Sequence, residues 1–239
     1  MGGNQSTDQF LDKPLIPQQR FVGNMSQRFV RPREVTLELE DEFWSKKHDH
    51  EIEIKDLTSD QVLFRLAPTD QANSAKVMLL DGFKVPVVRM ESRPIGPRGA
   101  GYSVYPGGPS ASTRFCEMKT EMTPFEKPMR IDFVDRVTGA QVRLGITGKW
   151  LRRTSMIWIE SGQWDARYSI ARVYRKPDTP EGKFLMDVAS GVDIALMVLI
   201  AGAMDEQSKK HEIGKDKKDK KAAKEAAKAS KKASKAAAA

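Results

Sequence analysis

The stretch DVASGVDIALMVLIAGAMDE, residues 187–206, decides the fold of this chain. Between Val192 and Met204 it holds one charged residue, Asp193, and its apolar residues cover every helical angle. A helix that is apolar on all sides must be enclosed by protein or by lipid. A helix of this length spans about 20 Å, which is short of the roughly 30 Å of a bilayer core. We therefore predict a buried core helix over about residues 190–204, with a membrane-inserted segment as the alternative. The apolar residues assigned to this central helix are Val192, Ile194, Leu196, Met197, Val198, Leu199, Ile200 and Met204.

Both ends of the central helix carry sequence signals. The run Ser190-Gly191-Val192-Asp193 is typical of a capping box, with Ser190 as the N-cap and Asp193 as the third helical residue. Asp205-Glu206 and the polar run that follows mark the end of the helix.

The residues before this helix alternate between apolar and polar, which predicts short half-buried strands. Val35, Leu37 and Leu39 show the pattern first. It recurs at residues 52–54, 62–66, 77–79, 83–87, 129–133, 142–146, 156–159, 168–174 and 184–188. The dipeptide Asp81-Gly82 between two such runs is a strong hairpin signal. Residues 91–114 are rich in glycine and proline and predict a long flexible insertion.

A set of about ten short antiparallel strands followed by one wholly apolar helix favours a closed barrel. Closure removes the unpaired edges of a sheet, and the lumen encloses a helix that needs apolar surroundings on every side. The predicted fold class is therefore mainly β (α+β), a closed antiparallel β-barrel around a hydrophobic C-terminal α-helix.

The charge of the chain is concentrated in its last residues. Residues 208–239 hold 12 lysines and 4 acidic residues, which accounts for the whole formal charge of +8 and leaves the rest of the chain balanced. Residues 207–239 are Lys/Ala-rich low complexity and predict a disordered tail. The tail lysines expected to interact with an anionic surface are Lys215, Lys217, Lys218, Lys220, Lys221, Lys224, Lys228, Lys231, Lys232 and Lys235. Ser230 and Ser234 lie among them, and phosphorylation there would subtract charge.

Residues 1–32 predict an N-terminal arm that is either mobile or laid over the body. It begins Met1-Gly2-Gly3-Asn4-Gln5-Ser6, which fits the N-myristoylation pattern with Gly2 as the acylated residue. An ordinary disordered start is the alternative.

Residues of about 33–206 resemble the plant LURP-one-related family, and three stretches carry the resemblance. They are residues 62–66 (VLFRL) with 77–82 (VMLLDG), residues 148–153 (GKWLRR), and residues 184–188 (FLMDV) running into 191–198 and ending at Asp205-Glu206. The fold of that family is the tubby C-terminal-like barrel, which phospholipid scramblases share. The resemblance implies about twelve strands around a C-terminal helix.

The resemblance is a weak guide to activity, because fold does not determine function. Tubby-like domains are associated with phosphoinositide head groups and scramblases with lipid movement. This chain lacks the cysteine cluster that scramblases use for acylation, since its single cysteine is Cys116. That one cysteine also excludes an internal disulfide and fits a reducing compartment.

No catalytic set stands out, so a non-enzymatic protein without metal or cofactor is predicted. His48-Asp49-His50-Glu51 has the residue types of metal ligands but no third site in the sequence, and an ordinary solvated turn is the favoured interpretation. A basic face for a phosphorylated head group is a further hypothesis, with ordinary solvated strand ends as its alternative. Its residues are Lys149, Arg152, Arg153, Arg172, Arg175 and Lys176.

The two ends of the chain together predict a membrane-peripheral protein on the cytosolic face. A myristoyl chain alone gives marginal binding, and a polybasic segment supplies the second signal that stable anchoring needs. The expected partners are anionic membrane lipids, phosphoinositides among them. The protein would either bind these lipids or act as a membrane-tethered scaffold. A phospholipid scramblase-like protein is one alternative. A nuclear, DNA-associated protein that acts through its basic tail is the other.

Overall fold

A computed structural model describes residues 12–19, 22–23, 26–41, 43–44, 51–67, 76–95, 99–108, 114–120, 129–134, 139–150, 153–160 and 167–206. The strands in these residues are β1 Val35–Glu40, β2 Ile52–Asp56, β3 Gln61–Ala67, β4 Lys76–Asp81, β5 Pro86–Ile95, β6 Gly99–Pro106, β7 Cys116–Thr120, β8 Met129–Val134, β9 Gln141–Lys149, β10 Thr154–Glu160, β11 Arg167–Tyr174 and β12 Lys183–Val188. A 3-10 turn, Gln27–Phe29, precedes them, and one α-helix, α1, covers residues 194–206.

The twelve strands form a closed antiparallel barrel in which each strand pairs with its neighbours along the chain. β1 also pairs with β12, from Val35 opposite Val188 to Glu40 opposite Lys183, and this pairing closes the sheet. The alternation in β1 produces the inward face, because Val35, Leu37 and Leu39 are at most 2% exposed. The predicted mainly β barrel around a single C-terminal helix is confirmed.

The helix α1 fills the lumen of this barrel. Its apolar side chains from Ile194 to Ile200 are at most 2% exposed, and Met204 near its end is 7% exposed. The hydroxyl of Tyr102 on β6 donates to the carbonyl of Ala203 at 3.2 Å, so the wall contacts the helix backbone as well. The prediction of a core helix sheathed by the strands is therefore confirmed.

The start of α1 differs from the predicted capping box. Asp193, not Ser190, is the N-cap: its Oδ1 accepts the backbone N–H of Ala195 at 3.0 Å and of Leu196 at 3.3 Å. The expected start at residue 190 is wrong because Gly191 adopts a left-handed φ of 79°. Val192, which was assigned to the helix, instead forms a parallel bridge with Val22 of the arm.

The hairpin after β4 is longer than the Asp81-Gly82 signal predicts. Asp81 Oδ1 accepts the backbone N–H groups of Phe83 and Val85, both at 2.9 Å, and this side-chain turn delays β5 until Pro86. The inward face of β5 is Val88 and Met90. The strand predicted over residues 83–87 therefore begins three residues too early: residues 86–87 are in β5, but residues 83–85 belong to the turn and Phe83 is 88% exposed.

Most of the glycine- and proline-rich stretch after residue 91 is not the flexible insertion that the sequence predicts, because it forms strands. Residues 91–95 and 99–106 belong to β5 and β6, which pair from Val88 opposite Pro106 to Ile95 opposite Gly99. The physical reason is that Tyr102 and Val104 alternate inward and are fully buried, which outweighs the low strand propensity of the glycines.

The described parts of the N-terminal arm lie on the body, which is one of the two predicted alternatives. Leu15, Val22 and Phe29 are buried, with exposures of 6–8%. The backbone N–H of Gly191 donates to the carbonyl of Arg31 at 3.0 Å. The arm therefore covers the end of the barrel at which α1 begins.

Candidate functional site

The barrel has two chemically different ends. We call the end at which α1 starts the arm end, because Val22, Val30 and Arg31 of the arm bond to residues 191–193 there. We call the opposite end the tail end, because α1 stops there at residue 206 and the lysine-rich residues follow in the chain. The segments between β9 and β10 and between β11 and β12 lie at the tail end, so most of the predicted basic residues are there.

Arg153 lies at the tail end but is buried, with 7% exposure. Its Nε donates to Asp41 Oδ1 at 2.9 Å and its Nη2 donates to Asp205 Oδ1 at 2.8 Å. Its guanidinium also lies over the ring of Phe184, 4.4 Å from the centroid. Arg153 therefore ties the β9–β10 turn to the last turn of α1, and this charge is already matched by carboxylates inside the protein.

Arg175 shares one of these carboxylates. It donates to Asp41 through Nη2 and to the carbonyl of Lys183 through Nε, at 2.9 Å for the latter. The ammonium of Lys176 lies 5.7 Å from the centroid of the Tyr174 ring, and Lys176 is exposed to solvent. These two cations, unlike Arg153, reach the surface of the tail end.

Arg172 is engaged with a different set of acids. Its Nε donates to Asp187 Oδ2 at 2.7 Å, and its Nη2 lies 3.6 Å from Glu34 Oε1. The hydroxyl of Tyr174 donates to the same Asp187 at 3.0 Å. Burial, and next the charge of Asp187, raise the pKa of the Tyr174 phenol above its ordinary value. Arg172, Tyr174 and Asp187 thus form a hydrogen-bond network on the barrel wall.

The remaining predicted basic residues give less information. Lys149 ends β9, where its backbone pairs with Thr154, and Arg152 lies outside the described residues. The predicted basic face is thus divided: Arg153 and Arg175 meet at Asp41, whereas Arg172 pairs with Asp187. The sequence pattern did not identify Asp41, Asp187 or Asp205 as partners, because their contacts join residues distant in the chain.

Gly2, the ten tail lysines, Ser230 and Ser234 lie outside the described residues, but the points at which their segments join the body are defined. The backbone N–H of Ile16 donates to the carbonyl of Ser169 at 2.8 Å, and Arg172 Nη1 donates to the carbonyl of Lys13 at 3.4 Å. In this stretch the arm thus runs antiparallel to β11, so Lys13 lies nearer the tail end than Ile16 does.

The described residues contain no group of three or more His, Cys, Asp and Glu side chains able to hold a metal ion. Cys116 is 5% exposed. Burial, and next the charge of Asp193, raise the pKa of its thiol to about 12. The thiol is therefore protonated at neutral pH and is a poor nucleophile there.

Both the sequence and the fold of the barrel are similar to those of known proteins. A family model described as LURP-one-related matches residues 35–205. An X-ray structure of an Arabidopsis thaliana protein superposes with a TM-score of 0.51 at 20% sequence identity, covering 77% of this chain and 97% of that one. At that identity the likeness concerns the fold alone. A search of curated proteins returned no significant match. Within the described residues, no helix combines the length and apolarity needed to span a bilayer.

Proposed function

Because the chain belongs to the LURP-one-related family, whose model matches residues 35–205, we propose that it is a non-enzymatic protein held at the surface of a membrane. The family and the tubby-like barrel are consistent with a non-enzymatic protein. In the proposal, a myristoyl group on Gly2 and the lysine-rich tail bind an anionic cytosolic leaflet, and the barrel is the tethered lipid-binding or scaffold unit.

The observation that carries this proposal is that both anchoring segments join the body toward the same end. Residues 1–11 connect to the arm beside Arg172, near the end of β11, and the tail follows α1 at residue 206. Residues 1–11 reach at most about 36 Å when fully extended, which is enough to bring Gly2 to the surface that the tail contacts. Two weak anchors that meet one surface act together, whereas anchors on opposite ends of a rigid barrel do not.

The energetics require both anchors. A single myristoyl chain gives a partition constant of about 10⁴ M⁻¹, which is marginal. Each lysine near an anionic leaflet contributes about 1 kcal/mol, so three engaged lysines raise the constant roughly a hundredfold. The ten tail lysines named above exceed that need, and phosphate on Ser230 and Ser234 would weaken the contact.

The predicted basic residues divide in this proposal according to their partners. We assign Arg175 and Lys176 at the tail end to the membrane surface, together with Lys149 at the end of β9 and Arg152 shortly after it in the chain. Arg153 and Arg172 are assigned to the fold, because buried carboxylates of Asp205 and Asp187 already hold them.

Co-sedimentation with vesicles tests the two anchors separately. The full chain would be produced with an N-myristoyltransferase, and its acylation would be checked by mass spectrometry. We expect binding to vesicles that contain phosphatidylserine, and a loss of about two decades on truncation after Gln207. Gly2→Ala should also lower the partition constant strongly. A tail with every lysine changed to arginine is the matched control, since it keeps the charge and should bind as the unmodified chain does.

Three outcomes would contradict the proposal. Equal binding of all variants to anionic vesicles would show that neither segment is an anchor. Flipping of dye-labelled lipid in proteoliposomes would favour the scramblase-like alternative, although α1 would then have to leave a lumen in which Leu196 and Val198 are 0% exposed. Salt-dependent DNA binding that needs the tail but not Gly2 would favour the nuclear alternative.

A further inference from the structure

A cleft of about 360 Å³ opens at the arm end of the barrel, away from the proposed tether. It lies between the Gln27–Phe29 turn and the hairpin that joins β4 to β5. Its floor is apolar, since Phe29, Phe64 and Ile194 line it and are 8%, 1% and 2% exposed. The rings of Phe29 and Phe64 pack 5.2 Å apart at a tilt of 51°, and Phe29 is the more exposed of the two.

The mouth of this cleft carries a surplus positive charge. Arg28 Nη2 pairs with Asp81 Oδ2 at 3.0 Å, so that guanidinium is neutralised. Arg31 also lines the cleft, and its Nη1 donates to the backbone carbonyl of Arg28 at 3.0 Å. Within the described residues Arg31 has no carboxylate partner. The bond to Arg28 orients the Arg31 guanidinium without matching its charge.

The rim supplies exposed apolar surface. Phe83 lines the cleft and is 88% exposed, although its backbone is held by Asp81. The ring of Phe83 therefore adds apolar surface at the rim of the cleft. A ligand that enters the cleft would meet Phe83 at the rim and Phe29 at the floor.

We propose that this cleft binds a small amphipathic monoanion with an aliphatic or aromatic body and one carboxylate. The body packs on the floor and against Phe83, and the carboxylate accepts hydrogen bonds from Arg31. Small-molecule pockets measure roughly 300–1,000 Å³, and this cleft is at the lower end of that range, so its size matches a small occupant. The proposal does not depend on the membrane tether, because the lining residues that carry it lie at the arm end of the barrel.

Competition between probes tests the ligand class. The full-length chain would be titrated with the fluorescent amphipathic anion anilinonaphthalene sulfonate, and the probe would be displaced with decanoate, decanol or decylamine. We expect decanoate to compete at least tenfold better than decanol, because a hydrogen bond to a charged group gives discrimination of that order. Decylamine should compete worst.

Two variants locate the site. Arg31→Gln removes the surplus charge and should weaken decanoate about tenfold. Lys55→Gln removes the same charge outside the cleft and should leave decanoate affinity unchanged. Phe83→Ser alters a solvent-exposed side chain, so it should keep the thermal unfolding temperature and still weaken all probes that have an apolar body. Equal competition by decanoate and decanol would overturn the proposal. Unchanged affinity in both cleft variants, or no saturable binding of the dye, would do the same.

Discussion

Replacing Arg153 by methionine tests whether the tail end of α1 is held by a buried ion pair. The side chain of Asp205 is 2% exposed and would lose the Nη2 contact at 2.8 Å, and Asp41 would lose the Nε contact at 2.9 Å. Methionine keeps a β-carbon at the left-handed φ of 51°, so the backbone strain at this position is unchanged. The variant therefore reports on the charge and its hydrogen bonds.

The expected cost follows from the burial of the acid. Removing one partner of a buried ion pair costs about 3–5 kcal/mol, because the other charge stays desolvated. For a domain of this size each kcal/mol lowers the unfolding temperature by roughly 2–4 °C, so the shift should be about 6–20 °C. Arg175→Met is the matched control, since Arg175 also contacts Asp41 but its side chain is 42% exposed, and such surface pairs contribute about 0–1 kcal/mol.

Urea and thermal unfolding followed by tryptophan fluorescence would measure both variants. The double variant Arg153→Met with Asp205→Leu replaces the buried pair by apolar groups, and we expect it to recover part of the stability that Arg153→Met loses. A loss below about 1 kcal/mol for Arg153→Met would refute the buried ion pair. Strict additivity of the two single changes would show that the two side chains do not interact.

Two further predictions concern packing and titration. Gly202→Ala should destabilise the protein by about 1–3 kcal/mol despite better helix propensity, because the new Cβ would lie 2.4 Å from the ring of Trp44. Gly108→Ala, which meets nothing within 4 Å, should be neutral in the same unfolding assay. The Cys116 thiol should resist a disulfide reagent at pH 8 until urea is added. Since its pKa rises from 9.0 to about 12 on folding, the folded state holds the proton more tightly, and stability should fall as the pH rises through this interval. Cys116→Ala should flatten that alkaline decline, and rapid labelling of the folded protein would contradict the assignment.

Most of the fold follows from local patterns in the sequence. Alternation in stretches such as Val35 to Leu39 identifies strands whose inward residues are buried, and the all-apolar run before Met204 requires an enclosure. Two of the errors have a common physical origin. The hairpin after β4 and the start of α1 are both set by side-chain to backbone bonds of an aspartate, Asp81 and Asp193, which override the turn and capping signals nearby.

The partners of the charged residues do not follow from local patterns, whereas the burial of the apolar residues does. A run such as 148–153 shows that cations occur near a strand end, but it does not show which of them turn inward. Arg153 turns inward because Asp41 and Asp205, 112 and 52 residues away in the chain, converge on it. The cleft near Arg31 is likewise built from residues distant in the chain, since its floor comes from the arm, β3 and α1. Only the closed barrel brings these segments together.

Two buried acids, Asp193 at the N-cap of α1 and Asp205 in its last turn, fix the position of a helix whose surface is otherwise apolar. An apolar rod in an apolar lumen has few directional contacts, so hydrophobic burial alone leaves its depth and rotation weakly defined. A shift by one residue would move the helix about 1.5 Å and turn it about 100°. Such a shift would pull Asp193 from the arm and Asp205 from Arg153 at the same time.

The helix dipole makes the two acids unequal. Asp193 lies at the N-terminus, where a carboxylate is favoured, whereas Asp205 lies in the last turn, where a carboxylate is disfavoured unless a cation accompanies it. The guanidinium of Arg153 is that cation, held within hydrogen-bonding distance of Asp205. The register of the helix thus depends on a residue of the β9–β10 turn, and the point where the lysine-rich segment leaves the barrel depends on it as well.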